Sequence, residues 1–289
     1  MDEHDRVALH ARDVAFDWST LPVHWIPGEP FATHLLDVLH LLLPEGERWF
    51  VKLFGEALPL IHDARLAEDV RGFIGQEAMH AASHQGVLDH FAARGVDISP
   101  YVEQVEFLFR EALGERGLTG PAAEEWLVDR VAAVAAIEHV TAFLGDWILR
   151  AKGLDAAGAH PTMLDLLRWH GAEEVEHRAV AHDLYMHLDG SYVRRVRMLV
   201  TVAPMLVRLW AEGVSFLLAT DPQPSRARWV DLLRAARKGL CPGIVSTAWS
   251  LATYLRPGYH PSQYGSTDLA VAYLAVSPAA RAAAGRGAA

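Results

Sequence analysis

FIGQEAMHAASH (73–84) and WHGAEEVEH (169–177) each hold one copy of the same short pattern, Glu77-x-x-His80 and Glu174-x-x-His177. Residues three apart share a helix face, so each pair can aim a carboxylate and an imidazole at one point. Carboxylate-bridged two-metal sites in four-helix bundles use this pattern on two helices and a lone Glu on each of two others. Glu47 and Glu138 are the lone partners on offer, and the four glutamates fall one per long helical stretch. Four carboxylates and two neutral imidazoles carry four negative charges, which balance two divalent cations. Oxygen-rich ligation with two imidazoles suits iron first and manganese next, whereas structural zinc would recruit cysteines.

The surroundings argue for burial. Glu77 is the only Asp, Glu, Lys or Arg from Gly72 through Leu88, and Glu138 the only one from Val131 through Gly145. An isolated carboxylate in an apolar helix is costly to bury unless an opposite charge compensates it. A metal ion does so, as would an arginine from elsewhere. Glu47 has rivals in Glu45, Glu56 and Asp37, and as a surface residue it would pair with Arg48 or Lys52. Glu173, four residues before His177, rivals Glu174, while Glu176 reads as solvated.

His84 lies one turn beyond His80, and His170 one turn before Glu174. Each reads either as a core histidine or as a site residue: a further ligand, an orienter of ligands, or a proton shuttle. His139 should face about 100° away from Glu138 and reads as core. Trp147, Trp169, Trp210 and Trp249 read as packing, and Arg194, Arg195 and Arg197 as a solvated face.

The pattern along the chain is helical almost throughout. A first helix is predicted from Phe31 to Leu58, kinked or restarted by Pro44 and Gly46. A second runs from an Asp63 cap to Arg94, ending at Gly95; a shorter one spans Pro100–Leu113. A third opens at Pro121 and reaches Lys152, and a fourth follows His160-Pro161 and ends at Asp189-Gly190. Further helices are predicted over 191–219 and 225–255. The expected organisation is a lead segment (1–30), an all-α four-helix bundle holding the metals (31–190), a C-terminal helical extension (191–275) and a frayed or disordered tail (276–289).

Bulk composition narrows the function. With 51% hydrophobic and 21% charged residues, the 289-residue chain reads as globular. A formal net charge of -10 gives no footprint for nucleic acid. A single cysteine, Cys241, excludes an intrachain disulfide and a thiolate cage. The acidic start MDEHDRVALH lacks an apolar core, so no signal peptide is expected, and the cytoplasm is the default location. The apolar stretches 198–207, 213–219 and 239–255 each fall short of a bilayer span. Buried helix is the first reading of them, with peripheral membrane contact or a greasy substrate chamber as the alternative.

LPEGERWF (43–50), FIGQEAMHAASH (73–84), IEHVTAF (137–143), WHGAEEVEHRAVAHDLY (169–185) and RPGYHP (256–261) together resemble the bacterial family of predicted metal-dependent hydrolases within the ferritin-like superfamily. The resemblance covers about residues 20–265. It implies metal ligation by Glu47, Glu77, His80, Glu138, Glu174 and His177, and places His84 and His170 in the recurring motif with a catalytic role. Two reactions then compete. A non-haem di-iron oxidase or oxygenase would use O2 to oxidise a small apolar substrate, and this is the first expectation because carboxylate-rich ligation stabilises oxidised iron. A hydrolase would attack with a metal-bound hydroxide. Iron storage, which the C-terminal extension disfavours, or metal sensing is a third reading. A homodimer is compatible with the sequence; no redox partner is indicated.

Overall fold

Prolines start three of the four long helices that carry the expected ligands. They open α1 (Pro30–Ala57), α4 (Pro121–Arg150) and α6 (Pro161–His177), where the missing N–H and fixed φ suit a first turn. α2 (Ala64–Ala93) is instead capped by Asp63, whose carboxylate accepts hydrogen bonds from the backbone N–H groups of Arg65 and Leu66. It ends at Gly95, where φ is +79° and Val96 N–H donates back to Phe91 O, the closing geometry that glycine allows without strain. These features belong to a computed structural model that describes residues 7–287. The first six residues of the lead segment and the last two of the tail lie outside the described residues.

α1 packs along α2, α4 packs along α6, and contacts of α1 with α4 and of α2 with α6 join the pairs. At one crossing α4 and α6 nearly touch. A Cβ on Gly145 would lie 2.5 Å from Gly171 O, and one on Gly171 would lie 2.9 Å from Gly145 Cα. Only glycine permits so close an approach, and it sets the spacing of the helices bearing Glu138 and Glu174. A comparable fit holds the lead segment: Leu9 and Ala11 lie against Gly72 and Gly75 of α2.

The remaining elements cover these four. α3 (Ser99–Phe107) continues as a π-helical turn over Leu108–Ala112 and links α2 to α4. α5 (Lys152–Ala156) is one short turn before α6. α8 (Tyr192–Thr220) lies across α1 and α4; Trp210 Nε1–H donates to Leu35 O and Tyr101 O–H to Leu209 O. α9 (Trp229–Arg237) touches α1, α10 (Ile244–Tyr254) touches α4, and α11 (Thr267–Leu274) and α12 (Pro278–Gly287) pack on α6. Every regular element among the described residues is helical.

Several expectations are corrected. α1 runs unbroken through Pro44. The fourth helix divides at Arg178-Ala179 into α6 and α7 (Val180–Leu188). The stretch 225–255 is two helices, because Gly239 turns the chain at φ +70° and Pro242-Gly243 follows. The apolar stretches 198–207 and 213–219 are one continuous helix, α8, long and apolar enough by length and composition to cross a membrane. The tail forms α12 instead of fraying: Asp165 accepts hydrogen bonds from Tyr273 O–H, Ser277 Oγ–H and Ala279 N–H, and Ser277 caps the helix at Ala280. Arg195 is not solvated; it is buried, donates to the carbonyls of Tyr254 and Arg256, and lies over the rings of Tyr192, Tyr254 and Tyr259. Trp249, expected to pack, is 63% exposed.

Candidate metal centre

α1 brings Glu47 inward, α2 brings Glu77 and His80, α4 brings Glu138, and α6 brings Glu174 and His177; all six side chains are buried. Ligand atoms of Glu77, Glu138, Glu174 and His177 all lie within 4.8 Å of one another, as do those of His80, His170 and Glu174, and those of Glu47, His84 and His170. His177 Nε2 stands 3.3 Å from Glu77 Oε1, 3.3 Å from Glu138 Oε2 and 3.5 Å from Glu174 Oε2. His80 Nδ1 stands 3.6 Å from Glu77 Oε1 and 3.7 Å from Glu174 Oε1. Glu77 and Glu174 therefore lie between the two imidazoles.

Unused hydrogen-bonding capacity is concentrated here. Both oxygens of Glu47 and of Glu77, Oε2 of Glu138 and of Glu174, Nδ1 of His80 and Nε2 of His177 are buried without a hydrogen-bond partner. Buried polar atoms are nearly always satisfied, and leaving a carboxylate unpaired in the interior is costly. A convergent set of such atoms, all oxygen or imidazole nitrogen, fits divalent cations.

Without a cation the cluster is short of positive charge, and the acidities show it. Burial and the neighbouring carboxylates push Glu47 and Glu77 well above the usual carboxylate range. Burial and the charge of Glu174 lift Glu138 to about 7. Burial works against charge on Glu174 too, but His177 and the hydrogen bond with His170 hold it well below its ordinary value. The same carboxylates outweigh burial at His177 and raise it well above the ordinary imidazole value.

The surroundings of the cluster separate its residues from their rivals. Glu45 accepts from Arg48 and Arg110, Glu56 from Arg130, and Asp37 from Trp25; Glu47 alone points into the cluster. Glu173 does not converge with the ligands. It shares a 3.0 Å hydrogen bond with His80 Nε2 and accepts from Arg12 at 2.6 Å. Glu176, expected to be solvated, has a side chain only 1% exposed, and it accepts from Arg12 and from Gln76 Nε2–H. Gln76 Oε1 accepts from His177 Nδ1 at 3.2 Å. Each imidazole thus keeps one nitrogen for the centre and fixes the other outside it, an arrangement that orients metal ligands.

His170 and His84 both belong to the cluster. His170 Nε2 is 2.8 Å from Glu174 Oε1 and 3.5 Å from Glu47 Oε1. Its Nδ1 shares a 2.6 Å hydrogen bond with His84 Nε2, and His84 Nδ1 shares one of 2.7 Å with His40 Nδ1. Burial and neighbouring imidazoles push His170 down to about 4 and His84 well below its ordinary value, and burial, against the opposing charge of Asp37 and with His170 beside it, brings His40 to about 4. The three form a neutral chain leading from the centre. His139 lies outside it, bonded to Tyr259 O–H and to Ser250.

Arg12, Gln76 and His40 were not singled out in the sequence. His40 could have been, since it lies seven residues before Glu47 and so shares its helix face. Gln76 adjoins a ligand in an otherwise apolar run. Nothing local marks Arg12.

Beside the cluster lies a cavity of about 640 Å³ whose wall includes His170, Gly171 and Glu174. Leu35, Leu39 and Leu43 of α1, Leu144 and Trp147 of α4 and Leu206 of α8 make it apolar.

The chain belongs to the family of predicted metal-dependent hydrolases. The family's model matches residues 10–265, most of the chain and every residue of the cluster. No curated protein and no solved structure matches the chain. Family and site agree on metal dependence: the described residues include buried groups of Glu and His able to hold ions.

Proposed function

We propose that this protein is a dinuclear metal-dependent hydrolase acting on an apolar substrate, its four ligand-bearing helices arranged as a ferritin-like bundle. One observation supports the reading: eight partnerless ligand atoms lie in adjoining buried groups of Glu and His, two of whose members, His170 and Glu174, form part of the wall of a large apolar cavity. Glu47, Glu77, His80, Glu138, Glu174 and His177 would hold the ions. The oxygen-rich donor set favours iron or manganese over zinc. Bound there, the ions would make a coordinated water acidic near neutral pH and polarise a scissile carbonyl.

The chain's own residues do the rest. Glu173 and Gln76 hold the two imidazoles in place. His170 Nε2 can take or return a proton beside Glu174, with His84 and His40 behind it to carry it on. The leucine-lined cavity excludes water and holds the hydrocarbon part of the substrate.

The donor set and the cavity also favour a second reading, oxidation of an apolar substrate by O2. Four carboxylates suit oxidised iron, and Thr141, a hydroxyl on the cavity wall beside the cluster, is already engaged with Glu138.

The test is anaerobic loading with ferrous, manganous or zinc ions, then metal analysis, turnover of a series of p-nitrophenyl esters of increasing acyl length, and O2 uptake. Ester turnover that rises with chain length and disappears in Glu174→Ala supports hydrolysis. O2 uptake by the ferrous protein without ester turnover transfers the assignment to oxidation. A native protein that binds no metal refutes both.

A further inference from the structure

The cavity has a mouth whose rim is exposed. Val207 and Ser215 of α8, Arg228, Trp229 of α9, and Ile244 and Ala248 of α10 line the cavity and yet face solvent. Trp229 is 81% exposed and Val207 66%; beside the mouth on α10, Val245 is 84% exposed. Large apolar side chains gathered at one opening are uncommon on a surface that meets only water.

The charge around that opening opposes that of the whole. The protein carries a formal net charge of -10, but residues 222–256 hold Arg226, Arg228, Arg234, Arg237, Lys238 and Arg256 against the single acid Asp231. Asp231 pairs with Arg228 and Arg234, and Lys238 with Glu29. Arg226 and Arg237, both exposed, have no carboxylate partner among the described residues. α9 thus sets Trp229, Val230 and Leu233 outward among arginines. Tryptophan at headgroup depth with arginine around it is the make-up of a helix that lies in a membrane interface.

We propose that the face formed by α9, the start of α10 and the outer side of α8 docks on an anionic lipid bilayer, setting the cavity mouth against the acyl phase. Charge decides the occupant. A symmetric dimer through this face would oppose the same arginines across its axis, which is repulsive. An anionic headgroup layer complements them and accepts the apolar tips. Entry of substrate from the lipid rests on the proposed function; docking itself does not.

Flotation of the full-length, metal-loaded protein with vesicles tests this, using phosphatidylcholine alone and with increasing phosphatidylglycerol. Binding is expected to rise with the anionic fraction and to fall with added salt. Arg226→Ser with Arg237→Ser, and separately Trp229→Ser with Val245→Ser, should each lower the partition coefficient by roughly tenfold, with metal content and helicity unchanged. Absence of flotation at every composition, or flotation that neither double variant changes, overturns the proposal. So does a dimer in sedimentation equilibrium that the Trp229/Val245 variant dissociates while vesicles go unbound, which would assign the face to a second copy. Flotation of Glu174→Ala should match the native protein, so failure of docking and failure of the metal assignment are separately visible.

Discussion

The two Glu-x-x-His arms share a sequence pattern but not an environment. On α2, His80 turns Nδ1 to the centre and fixes Nε2 on a carboxylate, Glu173, itself held by Arg12. On α6, His177 turns Nε2 to the centre and fixes Nδ1 on a neutral amide oxygen, that of Gln76. Glu77 has both oxygens free, whereas Glu174 already shares one with His170. A repeated motif therefore yields two unlike positions. The His80 side alone continues into the chain of histidines, through His170 and His84.

The largest effect should follow from the glutamate that stands beside both imidazoles, His170 and the cavity wall. Glu174→Ala is expected to abolish tight metal binding altogether, read as loss of both ions per chain in metal analysis. Retention of one ion would show that the arms are independent. Next is the helix contact that spaces them. Gly145→Ala would drive a methyl into Gly171 O, so it should destabilise by about 1–3 kcal/mol in urea denaturation and weaken metal binding with no ligand altered.

The outer partners sharpen the contrast. Glu173→Gln should weaken one ion by roughly 10–100-fold and leave the other, while Gln76→Ala does the converse more mildly. Equal losses from both substitutions would show that the positions are equivalent. The smallest effect concerns the metal-free chain. Glu47, Glu77, Glu138 and His177 all keep protons to higher pH when folded than when unfolded. The glutamates' contribution is therefore full at low pH and is lost as pH rises above the ordinary glutamate value of 4.5, for Glu138 through about 7, whereas that of His177 is lost only above the ordinary imidazole value of 6.5. Glu174, shifted downward, contributes the opposite trend only below that window. His40, His84 and His170 are shifted downward and lose their contribution as pH drops below the ordinary imidazole value of 6.5, which offsets the glutamates there, so the melting midpoint of chelated protein should fall as pH rises above 6.5, and loading with metal should abolish the fall.

Much of this was legible in the sequence because it depends on spacing along one helix. Glu77 and His80, or Glu174 and His177, share a face whatever surrounds them, and lone carboxylates in apolar runs announce burial. The prolines and Asp63 marked where the long helices begin. What could not be read depends on contacts between distant segments. Glu173 and Glu174 are both on α6 and both buried, and only Arg12 and His80 decide which of them keeps an oxygen without a partner. Arg195 lies in a basic run that looks solvated until the carbonyls of Tyr254 and Arg256 arrive from sixty residues away. The tail looked too poor in large side chains to fold, but Asp165 supplies it with hydrogen bonds instead. Oxidation was placed ahead of hydrolysis from ligand chemistry; family membership favours hydrolysis.

Arg12 belongs to the lead segment seated against Gly72 and Gly75, and its partner Glu173 lies 161 positions further on. A chain emerging from the ribosome makes Arg12 almost at once, then must complete more than half its length before Glu173 exists to receive it. Closing so long a loop comes late in folding. The carboxylate that orients His80 thus gains its own partner only at the end of assembly, so on the proposed assignment the centre is complete only in a nearly finished molecule.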